Sequence, residues 1–533
     1  MTIEMKKIQH YLVALMLLGG LITMSSCNDD EDDMNVGPEG TGELVTFPLD
    51  GVANSAAGGM ITFELMDDAS TKITVELEGA VNGQMHPIHI HENTAAEGGG
   101  IVITLENVDG TTGKSETFVT MTDDESPISF EQLVDFDGYI NVHQSANDLA
   151  TIVAQGDIGQ NALTGESKSY ALGSVADPAI SGMATFYQRI NGETLAKLML
   201  DNTPQGGSHP AHIHLNTAAE GGAIAMSFTP VDGSTGMSKT NIASLDDGTA
   251  ITYTELLQFD GYINVHLSAE DLATLVAQGD IGQNELTGEK MAYDLSSVDV
   301  EGISGTATFS QRVNNETLVM IVLENTPEGG SHPSHIHFNT AAEGGGIAVT
   351  FNNINGTTGM SITNVTNYKD ADMREIAISY DELLEFDGYI NVHLSADDLG
   401  TLVAQGDIGQ NDLTSESKTY TLNGVDVPGV SGTATFSERI NGETLVIIAL
   451  SGANFEGGYA SHIHAGSVAN APGDIIISLN NVDANGMSNT NVNMMGETMI
   501  DYAAMIQIDG YINVHTLDFS GLVAQGDVGA NVQ

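Results

Sequence analysis

Histidine is the residue type whose number and spacing could support chemistry in this sequence. The chain has 533 residues and 16 histidines, and the motif His-Ile-His occurs four times, each time followed further along by Tyr-Ile-Asn-Val-His. Alternate residues of a β-strand point to the same face, so both imidazoles of His-Ile-His project together. If the strand with the later histidine lies beside this pair, three imidazoles converge. Three neutral imidazoles without a thiolate suit Cu(II) or Zn(II), and Cu(II) binds most tightly in the usual affinity order.

We therefore predict one mononuclear site in each of four repeats, for copper, with zinc as the alternative metal. The predicted ligands are His89, His91 and His143 in repeat one, His212, His214 and His266 in repeat two, His335, His337 and His393 in repeat three, and His462, His464 and His515 in repeat four. Apart from His10, every histidine of the chain belongs to these repeated motifs. The alternative is a polar network in which the histidines tie loops to the fold without any metal.

The strands that must position these histidines belong to a unit of domain size that is repeated along the chain. The segment that ends at His143 returns at His266, His393 and His515, in steps of 123, 127 and 122 residues. A period of this length indicates an array of domains and not a solenoid. The predicted repeats cover the following ranges: 44–166, 167–289, 290–416 and 417–533.

Each repeat is predicted to be all-β. Residues 304–313 alternate between small or polar and apolar side chains as a strand does, and Asn191-Gly192 separates two such runs, which is a strong hairpin signal. Helical periodicity is brief, at 268–273 and 379–384, and predicts single turns in connections. The sequence therefore predicts four tandem Greek-key β-sandwich or barrel domains.

The N-terminal segment has the layout of a secretory signal. Two lysines precede an apolar run at 11–18, and small residues then lead to Cys27, the single cysteine of the chain. The apolar run is too short for a convincing membrane-spanning helix. We predict a lipoprotein signal peptide at 1–26, lipidation of Cys27 and an acidic tether at 27–43, with an ordinary signal peptide as the alternative. The tether resembles that of surface-exposed bacterial lipoproteins, so the expected location is the cell envelope, anchored to the outer membrane and exposed at the surface.

Charge excludes several classes of partner. The chain has 72 acidic and 14 basic side chains, a net charge of −58. Such a field repels phosphate backbones, so we expect no nucleic-acid partner, and it disfavours anionic membranes, so we expect membrane contact only through the lipid anchor. The expected partners are metal ions. In the alternative of a structural or adhesive array, acidic surfaces would contact extracellular proteins or Ca²⁺.

The order of these motifs resembles a known family. His332-Pro333-Ser334-His335-Ile336-His337, a glycine-rich stretch at 341–346, Gly388-Tyr389-Ile390-Asn391-Val392-His393 and a closing Gln405-Gly406 are similar to the CHRD domain, first described in chordin and also found in bacterial secreted proteins. The resemblance covers essentially all of residues 44–533, as four domains. In chordin the modules belong to an extracellular antagonist of growth factors. For bacterial members the resemblance implies location and fold more than activity.

A more distant resemblance bears on the chemistry. The spacing His-x-x-His-x-His followed by a lone strand histidine is similar to copper/zinc superoxide dismutase, where a His-x-His pair and a later histidine bind copper on a Greek-key β-sandwich. The resemblance implies that the trios named above are copper ligands. It also implies that the first histidine of the longer motif supports the site without binding metal. The residues at this supporting position are His86, His209 and His332, with Tyr459 in repeat four.

Departures from that family argue against catalysis. The sequence has no histidine for a copper–zinc bridge, no separate zinc cluster and no evident equivalent of the arginine that attracts superoxide. The negative field would also repel superoxide. We therefore predict a binding or sequestering role and no catalytic residue, with a copper-dependent dismutase as the disfavoured alternative.

Two further sets of charged residues recur in the repeats. Three arginines precede a predicted hairpin and are predicted to be structural: Arg189, Arg312 and Arg439. The Gly-Asp motif supplies four carboxylates: Asp157, Asp280, Asp407 and Asp527. We predict that these carboxylates cap backbone N–H groups in turns, with calcium binding or support of the metal site as alternatives.

Overall fold

The computed structural model describes residues 37–52, 55–452, 455 and 457–532. The predicted signal peptide, Cys27 and most of the predicted tether lie outside the described residues. Within those ranges, no helix is long and apolar enough to cross a membrane. Strands dominate, and the helices are single turns, which confirms the all-β prediction.

Repeat one forms a closed barrel of eight antiparallel strands. Its elements are β1 Gly40–Gly51, β2 Gly58–Met66, β3 Thr71–Glu78, β4 Met85–Glu92, β5 Ile101–Asp109, β6 Lys114–Val119, α1 Phe130–Val134, β7 Asp137–Ser145 and β8 Asp148–Gly159. The order around the barrel is β1-β2-β3-β6-β5-β4-β7-β8, and β8 closes on β1. Because β3 lies beside β6 and β4 beside β7, two connections cross the barrel ends, which is a Greek-key arrangement.

Repeats two and three each form a ten-stranded sheet with an equivalent order, and repeat three has a separate two-stranded sheet in addition. The elements of repeat two are β9 Leu163–Ser174, β10 Ser181–Arg189, β11 Thr194–Asp201, β12 Ser208–His209, β13 Ala211–Leu215, β14 Ile224–Ser227, β15 Val231–Asp232, β16 Met237–Ile242, α2 Tyr253–Leu256, β17 Asp260–His266 and β18 Leu275–Gly282. Those of repeat three are β19 Leu286–Ser297, β20 Ser304–Arg312, β21 Thr317–Glu324, β22 Ser331–His332, β23 Ser334–Phe338, β24 Ile347–Thr350, β25 Ile354–Asn355, β26 Met360–Val365, β27 Asn367–Lys369, β28 Glu375–Ala377, α3 Tyr380–Leu384, β29 Asp387–Ser395 and β30 Asp398–Gly409.

Repeat four forms an eight-stranded sheet and a separate two-stranded sheet. Its elements are β31 Leu413–Gly424, β32 Ser431–Arg439, β33 Thr444–Ser451, β34 Tyr459–Ala465, the short 3₁₀ turn Val468–Asn470, β35 Ile475–Val482, β36 Met487–Val492, β37 Met494–Met495, β38 Thr498–Met499, α4 Tyr502–Met505, β39 Asp509–Thr516 and β40 Leu522–Gly529. The order is β35-β34-β39-β40-β31-β32-β33-β36, which again places the His-Ile-His strand beside the later histidine strand.

Apolar side chains alternate along the strands and fill a separate core in each repeat. In β3, for example, Ile73, Val75 and Leu77 are buried while the residues between them are less so. The buried hydrophobic residues fall into four clusters, one for each repeat. This alternation is the two-residue period that the sequence analysis used to predict strands.

One of the two predicted helical turns needs correction. Residues 268–273 form bends and not a helical turn, whereas 379–384 does contain α3. Pro210 and Pro333 interrupt the strand after the first histidine, because proline has no N–H to donate to a ladder. In repeat one, β4 instead runs through Pro87, since an irregularity in its register with β5 accommodates the proline.

The predicted repeat boundaries fall within strands. β9 crosses the position 166/167, β19 crosses 289/290 and β31 crosses 416/417. Only the residues between Gly159 and Leu163 separate β8 from β9. Consecutive repeats are therefore joined by very short connections, and the boundaries themselves stay predictions.

Candidate metal centre

The strands that carry the histidines lie side by side. In repeat one, β4 pairs antiparallel with β7, which places His89 opposite Asn141 and His91 opposite Tyr139. The same pairing joins β13 to β17, β23 to β29 and β34 to β39. His143 follows Asn141 by two residues along β7 and therefore lies on the same face of the sheet. The equivalent histidines hold the same position in the other three repeats.

This pairing brings the predicted ligands together as trios in all four repeats. The trios are His89, His91 and His143; His212, His214 and His266; His335, His337 and His393; and His462, His464 and His515. Within each trio, one nitrogen from each ring lies within 4.8 Å of the others. Three atoms this close share a point within about 3 Å of each, whereas metal–nitrogen bonds are about 2 Å, so small ring rotations would complete a coordination sphere.

Backbone carbonyl groups hold the second and third rings of a trio. In repeat two, His214 Nδ1–H donates to the carbonyl oxygen of Gly222 at 3.0 Å, and His266 Nδ1–H donates to that of Leu272 at 2.7 Å. The second ring is held in the same way in the other repeats, by Gly99, Gly345 and Gly473. The third ring is held by Leu149 in repeat one and Leu399 in repeat three. These bonds fix the tautomer, with the proton on Nδ1 and the lone pair on Nε2.

The nitrogens that face the centre of the trio are buried. His212 Nδ1, His214 Nε2 and His266 Nε2 have no hydrogen-bond partner among the described residues. In repeat one, by contrast, His89 Nδ1–H donates to His143 Nε2 at 3.0 Å, and His91 Nε2 is the inner nitrogen without a partner among the described residues. Buried polar atoms are normally satisfied, so the three unpartnered nitrogens of repeat two, aimed at one point, match the donor set of a metal ion.

Glycine and tyrosine position the second ring. A Cβ at Gly222 would lie 1.9 Å from the carbonyl oxygen of Leu215, so only glycine allows the loop to approach this closely. Tyr262 stacks on His214 with ring centroids 5.1 Å apart, and its hydroxyl accepts the Gly222 N–H at 3.2 Å. The glycine-rich stretch is therefore a support for the ligand ring, a role that the sequence analysis did not assign.

Burial keeps most of the trio histidines neutral. The pKa is lowered from its usual 6.5 for His89, His143, His212, His266, His335, His337, His462 and His515. Burial is the largest cause, and the charge of a neighbouring trio histidine adds to it. At His335 these causes lower the pKa to about 4. Neutral imidazoles are the form that binds metal.

The first histidine of the longer motif lies behind the trio. His86 is fully buried, and its Nδ1–H donates to the carbonyl oxygen of His143 at 3.0 Å. His209 and His332 make the equivalent bond to His266 and His393 at 3.3 Å. These side chains contact the backbone of the third ligand residue and are absent from the trios, which agrees with the supporting position implied by the resemblance.

Repeat four keeps the trio but changes what surrounds it. Tyr459, at the supporting position, packs edge-on against Phe455, with ring centroids 5.7 Å apart. The connection from His515 to Val523 spans eight positions, against ten from the equivalent His143 to Val153. The ring of Phe519 stacks on His462 at 5.8 Å. Phe519 thus lies over one side of the fourth trio.

The arginines and the Gly-Asp carboxylates form pairs that the sequence analysis missed. Arg189 binds Asp157 at 2.8 Å, Arg312 binds Asp280 at 2.8 Å, and Arg439 binds Asp407 at 2.7 Å. The other oxygen of Asp157 accepts the Ala95 N–H, so the predicted capping role is present as well. In each pair the arginine follows the aspartate by 32 positions, and this constant spacing was the available signal.

A comparison with known protein families gives a match in the first repeat. Residues 44–152 match the model of the CHRD domain family, which confirms the predicted resemblance over this range. The chain matches no curated protein. A solved structure described as "Crystal structure of tetra-tandem repeat in extending region of large adhesion protein" aligns over 87% of this chain and 96% of its own, with 10% identity and a TM-score of 0.11. A TM-score this low gives no evidence for a shared fold.

Proposed function

We propose that this CHRD-domain protein binds copper, or zinc as the alternative, at one three-histidine site in each repeat, and that its role is binding or sequestration. The observation that carries the proposal is the convergence of buried, unpartnered ring nitrogens in repeat two, while the opposite nitrogens of His214 and His266 are held by backbone carbonyls. A polar network alone would leave those inner nitrogens unsatisfied.

The donor chemistry supports a transition metal. Three imidazoles without a thiolate suit Cu(II) and Zn(II) and are poor ligands for Ca²⁺ or Mg²⁺, which prefer oxygen. Three protein ligands would leave a coordination position for water or another small ligand. The net charge of −58 would raise the local concentration of cations.

The arginines support binding over superoxide dismutation. Arg189, Arg312 and Arg439 have no exposed surface and are engaged in ion pairs. Arg374 is exposed and pairs with Asp370 and Asp372. The chain has no other arginine, so every arginine is already paired with a carboxylate.

Metal analysis of the full chain, purified without a histidine tag, tests the proposal. After loading with Cu(II) and removal of excess ion, we expect one equivalent per trio, and nitrogen coupling in the electron paramagnetic resonance spectrum. A His212→Ala, His214→Ala variant should lose one equivalent. The matched control His209→Gln also removes a histidine from repeat two but leaves the trio intact, so its metal content should be unchanged.

Less than about 0.5 equivalents of Cu(II) or Zn(II) per chain, with the same value in the His212→Ala, His214→Ala variant, would reject metal binding. The repeats would then be a structural or adhesive array. Superoxide turnover by the copper-loaded chain above that of free copper would instead favour the oxidoreductase alternative.

For location, we propose the cell envelope, with a lipid on Cys27 as the anchor. The support is the sequence pattern before and after this cysteine, which lies outside the described residues. Radiolabelled palmitate incorporation that is lost in a Cys27→Ser variant is the expected result. Incorporation that persists in Cys27→Ser, or that is absent from the wild type, would contradict lipidation at this residue.

A further inference from the structure

The three buried arginines contact the repeat that precedes their own. Arg312 lies at the end of β20 in repeat three and has no exposed surface. Its Nη1 donates to Asp280 Oδ2 at 2.8 Å and to the carbonyl oxygen of Asn284, both at the end of repeat two. Its Nε donates to Asn364 Oδ1 in repeat three at 2.8 Å. One guanidinium is thus shared between two domains.

The same arrangement occurs at the other two junctions. Arg189 joins Asp157 and the carbonyl of Asn161 to Asn241, and Arg439 joins Asp407 and the carbonyl of Asn411 to Asn491. The three aspartates are nearly buried, with 12%, 16% and 13% of their side-chain surface exposed. These are buried ion pairs, and separation of the domains would leave each charge without its partner.

Backbone hydrogen bonds reinforce each junction. Between repeats two and three, Val313 N–H donates to the carbonyl of Glu285 at 2.9 Å, and Asn314 N–H donates to that of Gln283 at 3.0 Å. Equivalent bonds from residues 190 and 191, and from residues 440 and 441, occur at the other junctions. The hairpin tip of each following repeat is therefore fixed to the connection that leads into it.

Repeat one differs at the position of the arginine. It follows the predicted tether and not another repeat, and the residue that ends the equivalent strand β2 is Met66. The partner position of Asn241 is occupied by Phe118, which is about half exposed. The polar set is present in the three repeats that follow another repeat in this sequence and is replaced by apolar residues in repeat one.

We infer that this arginine face is an interaction surface whose partner is the end of the preceding repeat, and that it locks the four repeats into one rigid array. Domains joined by a connection generally move relative to one another unless the interface holds them. Here the interface is a buried, charge-compensated contact supported by backbone hydrogen bonds. Bending at a junction would therefore break the ion pair and these hydrogen bonds together. The inference holds whether or not the trios bind metal.

Electron–electron distance measurements on the full chain test the inference. Spin labels are attached to two introduced cysteines, Val175→Cys in repeat two and Val298→Cys in repeat three, in a Cys27→Ser background. Both positions are exposed, and they are equivalent in the two repeats. The labelled chain should give one narrow distance distribution. Arg312→Met, which introduces the residue found in repeat one, should widen it about twofold or more. Arg374→Met, which removes an exposed arginine of the same repeat, should leave the width unchanged.

Asp280→Asn is the second variant, because it weakens the same contact from repeat two and leaves the core of repeat three intact. It should also widen the distribution. Circular dichroism and thermal unfolding identify which variants are folded. A broad distribution in the wild type would overturn the inference. So would a width unchanged from the wild type in a folded Arg312→Met or Asp280→Asn chain.

Discussion

In repeat three, the buried His332 donates to the carbonyl oxygen of His393, whereas in repeat four Tyr459 stands at that position and packs against Phe455. The histidine trio nevertheless forms in both repeats, although the centroids of its first and third rings are 5.2 Å apart in repeat three and 6.1 Å apart in repeat four. The second ring is also held alike, by the carbonyls of Gly345 and Gly473 at 3.0 and 2.9 Å. Both repeats keep the trio and the glycine carbonyl that holds its second ring. The supporting histidine is present in repeat three and is replaced by tyrosine in repeat four.

The supporting glycines give the largest expected effect. A Cβ at Gly345 or Gly473 would lie 2.0 Å from a backbone carbonyl oxygen, so alanine must displace the loop that holds the second ring. We expect Gly345→Ala and Gly473→Ala each to lower the copper affinity of their own repeat by about 10–100-fold, as measured by chelator competition. Gly346→Ala is the matched control, since a Cβ there meets nothing within 4 Å. Equal affinities in Gly345→Ala and Gly346→Ala would show that the carbonyl is not needed.

Exchange of the supporting residue should affect stability and not metal content. In repeat three the position equivalent to Phe455 is occupied by Glu328, and His332 is buried against Gly330. A tyrosine there has neither room nor an aromatic neighbour, so His332→Tyr should lower the free energy of unfolding by about 1–3 kcal/mol. Denaturant unfolding measures this change, and metal analysis should find the same copper content as in the wild type. A loss of one equivalent would mean that His332 takes part in binding.

Acid should destabilise the metal-free protein through its trios. Burial lowers the pKa of His335 to about 4, against 6.5 for the ordinary side chain, and lowers those of His462 and His515 as well. Between these two pH values the unfolded chain binds more protons than the folded one, so stability is lost as pH falls from about 6.5 to about 4. Nuclear magnetic resonance titration of the histidine protons in the apoprotein checks the shift. If His335 titrates near 6.5, its ring is not shielded from water.

The aromatic cover of repeat four gives the smallest expected effect. Phe519 stacks on His462 and lies 5.6 Å from His515 between ring centroids. Its removal in Phe519→Ala should leave the trio in place but open one side to solvent, so copper should transfer to a chelator about two- to fivefold faster from this repeat. Stopped-flow transfer from the wild type and the variant measures the rate. Leu517→Ala, a change at another exposed side chain of the same connection, is the control.

The trios could be predicted from the sequence because a strand has a period of two and the motifs recur in order. His89 and His91 had to share a face, and only the pairing of β4 with β7 remained to be found. The carbonyls of Gly99 and Leu149 could not be predicted, since backbone atoms leave no signature in residue type. The junctions were missed for another reason: Arg189 was predicted to be structural beside a hairpin and Asp157 to cap a turn, each within its own repeat, whereas their contact joins two domains.

Repeats two and three each carry both halves of the junction, an arginine at one end and a Gly-Asp carboxylate at the other. A further copy of such a unit, inserted between them by duplication of its coding segment, would find a complementary neighbour on both sides. The array can therefore change its length by whole units without any new contact having to evolve. Repeat four also carries both parts, Arg439 and Asp527, whereas repeat one has Met66 in place of the arginine and is unsuitable as such an insert.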